Sequence, residues 1–117
     1  MHYRLLVPLL LVALMAPSPR VSIVRAPNHV WDDEPVVLMV QVEPDADNRL
    51  LVIAALDEGL VIRQSTEQLD GDKARRTRWV RWERLSAGEL MITAIVITVD
   101  GKQGGRAQRP ITVLARR

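Results

Sequence analysis

Past Arg20 the apolar residues alternate with a period of two and never settle into the three-to-four spacing of a helix face. In PVVLMVQVE, Val36, Leu38, Val40 and Val42 fall on one side of an extended chain. Val37, Met39, Gln41 and Glu43 fall on the other. Two further runs are apolar on both sides. LLVIAAL sets Leu51, Ile53 and Ala55 against Leu50, Val52, Ala54 and Leu56. LMITAIVITV sets Leu90, Ile92, Ala94 and Val96 against Met91, Thr93, Ile95 and Ile97. Strands of that kind lie mid-sheet, or have their second face covered.

Turn chemistry separates these runs. PDADN (44–48), DEG (57–59), LDGD (69–72), SAG (86–88) and DGKQGG (100–105) combine Asp or Asn with Gly, or open on Pro. The pattern predicts seven strands, at about 21–25, 35–43, 49–56, 60–65, 76–84, 89–99 and 106–114. Short strands at this spacing with no helical segment, in about a hundred residues, describe a single all-β sandwich. Its core is expected to hold Val36, Leu38, Val40, Ile53, Val80, Trp82, Ile92, Ala94, Val96 and Val113.

One strand carries unusual chemistry. RRTRWVRWER (75–84) holds five arginines and two of the three tryptophans. Extended, it places Val80 and Trp82 inward, with a kink near Glu83–Arg84 that turns Leu85 inward as well. Trp79 then points outward beside Arg81, where a guanidinium can stack on the indole. Arg75, Arg76 and Arg78 are expected to stay solvated at the strand's entrance. Arg78, Trp79 and Arg81 form the candidate partner-binding surface, because Trp and Arg dominate binding hot spots. The same residues suit an ordinary charged edge strand, an acidic protein or glycan partner, or a nucleic acid. A net charge of only +2 argues against the last.

The first residues follow a different rule. MHYRLLVPLLLVALMAPSPR has a basic residue, Arg4, then an apolar run from Leu5 to Met15, then small residues and prolines. That run is too short to cross a bilayer, which takes about 20 residues. The pattern predicts a signal peptide over 1–18 and a mature domain over 19–117, exported to the periplasm or beyond the cell, with no transmembrane anchor after cleavage. No cysteine occurs, which excludes disulfides, thiolate chemistry and a lipid-modified N-terminal cysteine.

The stretches NRLLVIAALDEG, LDGD and RWERLSAGELMITAIVITVDGK resemble the small immunoglobulin-like or fibronectin-III-like domains of secreted bacterial proteins. Leu85, Gly88 and Leu90 stand where such domains turn a corner into the penultimate strand. Leu90 replaces the usual corner tyrosine, and the cysteine pair and the tryptophan of antibody-type domains are missing. The resemblance implies a role in adhesion, spacing or assembly, while a sandwich alone names no ligand.

Catalytic patterns are absent. His29 lies near Asp32, Asp33 and Glu34, but the spacing matches no zinc motif. DADN (45–48) and LDGD (69–72) lack the ligand series of a calcium loop. The expectation is a non-enzyme without cofactor or metal that binds another protein. Two alternatives are a carbohydrate-binding module using Trp79, with Trp31 as a second stacking residue, and an assembly subunit that pairs through an edge strand. Intact mass of the protein recovered from the cell envelope should show loss of a segment ending between Ala16 and Arg20; a cytoplasmic chain retaining Met1 would refute export.

Overall fold

The computed structural model describes residues 20–116; the predicted signal segment lies outside them. Eight strands follow in order: β1 (Val21–Arg25), β2 (His29–Trp31), β3 (Val36–Val42), β4 (Asn48–Asp57), β5 (Leu60–Gln68), β6 (Thr77–Trp82), β7 (Gly88–Thr98) and β8 (Gln103–Leu114). The one helical element among the described residues is a single 3₁₀ turn, Gly71–Lys73. The strands form a three-stranded sheet, β1-β3-β6, and a five-stranded sheet, β2-β8-β7-β4-β5.

All ten residues expected in the core are buried. Val36, Leu38 and Val40 of β3 and Val80 and Trp82 of β6 come from one sheet. Leu51, Ile53 and Ala55 of β4 and Ile92, Ala94 and Val96 of β7 face them from the other. The core contains no phenylalanine, so β-branched and aliphatic side chains fill the space between the sheets.

The connections follow the turn signals. Glu58 and Gly59 both have positive φ (49° and 84°) and close the β4–β5 hairpin, since a two-residue turn with this hand matches strand twist. Gly71 sits at φ +55°, and an added Cβ would come within 3.1 Å of the Ala46 carbonyl oxygen. Glycine is therefore required for the 69–72 turn to lie against the 45–48 turn. Arg84 adopts φ 59°, and the kink at this point buries Leu85, as the strand pattern requires.

Three features depart from expectation, the first being that β8 begins at Gln103 rather than near residue 106. His29–Trp31 is an eighth strand, paired in parallel with Thr112–Leu114 of β8. It is too short to show a period of two, and its partner lies more than eighty residues away. The chain leaves the three-stranded sheet after β1, passes through Pro27 and joins the other sheet as β2. Also, β5 extends to Gln68 rather than ending near residue 65.

Inward positions of β5 are polar, and each meets β6 or the bend after it. Ser65 Oγ accepts a hydrogen bond from the Trp82 indole N–H at 2.8 Å. Glu67 pairs with Arg78, with Nε 3.5 Å from Oε2. The Arg63 guanidinium donates to the carbonyl oxygens of Glu83 (3.4 Å) and Arg84 (3.0 Å). β5 and β6 belong to different sheets, so this seam of side chains closes one flank of the sandwich without strand pairing. Trp82→Ala should cost about 3–5 kcal/mol, from the lost indole and the cavity it leaves. Denaturant titration measures this, and a mutant as stable as the parent would place β6 in the opposite phase.

Candidate functional site

Among the described residues β6 is an edge strand that pairs only with β3, in the register Val37↔Arg81, Leu38↔Val80, Met39↔Trp79 and Val40↔Arg78. Val80 and Trp82 occupy the core side, so strand alternation turns Trp79 and Arg81 outward. Trp79 is 55% exposed, against 3% for Trp82. Beside it on the outer face lie half-buried Met39 and exposed Val37, and Arg25 of β1 pairs with Met39 from the other side. Val24 is exposed at the bulge in β1. An indole therefore stands on a small apolar surface made by all three strands.

Arg78 does not belong to this surface. It shares the inward face with Val80 and Trp82 and reaches across the sandwich to Glu67 on β5. The Arg78 Nε and Glu67 Oε2 atoms are shielded from solvent, and neither has a hydrogen-bond partner. At 3.5 Å they interact as charges rather than through a well-formed hydrogen bond. The expectation of a solvated Arg78 is corrected: the strand phase set by Trp82 carries it inward. Arg75 and Arg76 are exposed, as expected.

Arg81 points outward, but its guanidinium is engaged. Nε donates to Glu83 Oε1 at 2.6 Å, with both side chains well exposed. The outward surface therefore presents an aromatic ring, aliphatic neighbours and an ion pair rather than a bare cationic patch.

The second exposed tryptophan is elsewhere. Trp31, on β2 of the five-stranded sheet, lies under the Arg116 guanidinium, 4.5 Å from ring centroid to Cζ. Arg116 also pairs with Asp33 at 2.9 Å and Glu34 at 3.4 Å, and its backbone N–H donates to Asp32 Oδ1. The acids beside His29 thus hold an arginine from the end of the chain. Trp31 and Trp79 stand on different sheets and form no shared stacking platform.

The two aspartate-bearing turns meet where Gly71 lies against Ala46. Asp45 Oδ2 accepts from Arg20 at 2.9 Å, and its Oδ1 accepts from the Asp47 N–H at 2.9 Å. Among the described residues, no three His, Cys, Asp or Glu side chains converge in a way that could hold a metal ion.

This wiring, with β1-β3-β6 packed on β8-β7-β4-β5 and Leu85 and Leu90 buried at the corner, defines an immunoglobulin-like, fibronectin-III-like sandwich. Solved structures agree. The chain is similar to a CARDB domain from Pyrococcus furiosus, determined in complex with di-metal ions, with TM-score 0.56 and 16% identity over 86% of this chain and 96% of that one. It is similar to fibronectin(III)-like modules of CbhA from Clostridium thermocellum, with TM-score 0.53 and 16% identity over 83% and 99%. It is also similar to a superoxide reductase (neelaredoxin) from Ignicoccus hospitalis, with TM-score 0.60 and 16% identity over 84% and 83%. At such identities the likeness is one of fold. No family model and no curated protein matches the sequence.

The two arginines predict opposite outcomes. Arg78→Ala leaves the shielded Oε2 of the partly exposed Glu67 without its cation and should cost about 1–2 kcal/mol. Arg81→Ala removes an exposed pair and should cost at most about 1 kcal/mol. Paired denaturation curves decide this, and equal effects would mean that the Arg78–Glu67 pair does not form.

Proposed function

We propose that this chain is an exported, non-catalytic module that binds another protein through the outer face of its three-stranded sheet. The observation that carries the reading is Trp79, a large aromatic side chain held outward on a rigid strand and flanked by Met39, Val37 and Arg81. Its orientation is set by core packing, so binding would require little reorganisation. Aliphatic neighbours around the ring suit a protein partner that inserts an apolar side chain and presents carboxylates to exposed Arg25. Export is supported by the Arg4 and Leu5–Met15 pattern.

A second reading is favoured by the free edge of β6, which has no neighbour on its far side among the described residues. There a partner could add a strand. Substitution separates the two. Trp79→Ala with Arg81→Ala should leave the melting temperature nearly unchanged and weaken binding about tenfold or more, the size of one lost 1.4 kcal/mol contact. The measurement is a titration against the partner recovered by pull-down, alongside thermal melts. A strand-adding partner tolerates both changes, and recovery of glycans alone would assign the face to carbohydrate.

A further inference from the structure

The two strands that are apolar on both sides, β4 and β7, lie side by side near the middle of the five-stranded sheet. Their inner residues fill the core. Their outer residues are Leu50, Val52, Ala54 and Leu56 on β4 and Met91, Thr93, Ile95 and Ile97 on β7. Among the described residues no strand or helix lies over them: the other sheet occupies the opposite side. Val61, across from Leu56 on β5, is exposed, as are Leu60 and Ile62 beside it.

We propose that this face is the contact between two copies of the chain, packed sheet on sheet about an in-plane two-fold axis running between β4 and β7. The register makes the face complementary to itself. Leu50 pairs with Ile97, Val52 with Ile95, Ala54 with Thr93 and Leu56 with Met91. A two-fold between these strands lays β4 of one copy over β7 of the other, so each residue near the axis meets the copy of its own register partner. Aliphatic side chains then meet aliphatic side chains. The smallest pair, Ala54 and Thr93, lies near the centre and is already buried between larger neighbours, so the half-buried Leu50, Val52, Leu56, Met91, Ile95 and Ile97 supply the contact.

The flanks agree. On β8, Arg106 pairs with Ile95, Gln108 with Thr93 and Pro110 with Met91. On β5, Thr66 pairs with Val52, Gln64 with Ala54 and Val61 with Leu56. The same rotation lays Arg106 over Thr66, Gln108 over Gln64 and Pro110 over Val61. No like charges oppose each other in these rows; Asp57, Glu58 and Glu89 lie beyond the Leu56–Met91 row, at the rim.

Size points the same way. Four strands about 4.8 Å apart and eight residues at about 3.3 Å give a flat footprint of roughly 500 Å². About half of that is the apolar surface of β4 and β7, widened at one corner by exposed Leu60, Val61 and Ile62. With side-chain relief the footprint approaches the roughly 600 Å² per partner at the lower limit of specific dimers. A reversible dimer is the expected product. The contact is on the opposite side of the molecule from Trp79, so dimerisation and partner binding are separable.

The test uses the chain as purified, with its N-terminus defined by intact mass. Sedimentation velocity from about 1 to 500 μM should show a monomer–dimer equilibrium that stops at the dimer. Ile95→Arg should weaken it at least about a hundredfold without changing the melt of the dilute protein, because burying an unpaired charge opposes contact. Should that variant fold poorly, the absence of native cysteine supplies a milder probe. Val52→Cys, next to the axis, should be joined to its copy by a short bis-maleimide much faster than Trp79→Cys on the other sheet, since sheets about 10 Å apart lie beyond direct disulfide reach. The proposal fails if the parent remains a monomer to 500 μM, if it assembles without limit, or if the two cysteine variants cross-link equally. A monomer in which residues 5–15 shield the face from labelling would assign it to that segment instead, and so also overturn the dimer.

Discussion

Trp82 can bury its ring on only one side of β6, and that choice sets the direction of every other residue on the strand. The indole lies in the core, and its N–H reaches Ser65 on the opposite sheet at 2.8 Å. A buried indole needs such a partner, since an unsatisfied donor in an aliphatic interior costs about 1–3 kcal/mol. Once the ring is anchored, Val80 and Arg78 must point the same way, and Trp79 and Arg81 must point out. Both the inward Arg78–Glu67 pair and the exposed aromatic surface follow from one hydrogen-bonded side chain.

The sandwich thus has two outer faces of different character. The three-stranded sheet offers a single ring among a few aliphatic side chains, with arginine at its margins. The five-stranded sheet offers a broad aliphatic field bordered by glutamine and threonine. The first suits a steered encounter in which charge governs the rate of approach. The second has little to steer with and depends on area and fit. The polar seam along β5 and the bend after β6 separates them, and its arginine, serine and glutamate close a flank that strand pairing leaves open.

Strand phase and core were legible in the sequence because alternation by two is a local property, and the buried set Val36, Leu38, Val40, Ile92, Ala94 and Val96 follows from it. The bend at Arg84 was legible for the same reason: Trp82 and Leu85 can both be buried only if the chain breaks phase between them. What stayed hidden lies between strands distant in sequence. Nothing in RRTRWVRWER announces Glu67, since β5 and β6 meet only through side chains across the gap between sheets. Arg116 and Trp31 are eighty-five positions apart, and their stack exists only because β2 runs along β8. The apolar outer residues of β4 and β7 were visible as a pattern. Whether another element covered them depended on topology.

The β2–β8 pairing has a kinetic consequence. His29 bonds alongside Thr112, so the five-stranded sheet is incomplete until Leu114 has been synthesised. Pairings this distant make sandwiches slow to fold, on the order of milliseconds to seconds, because a long loop must close before its contacts can stabilise it. A nascent chain lacking β8 also lacks the neighbour that both β2 and β7 require, and it leaves aliphatic strand edges unpaired. Until Thr112–Leu114 are in place the sandwich cannot close, so the last of the described strands sets the moment at which folding can finish.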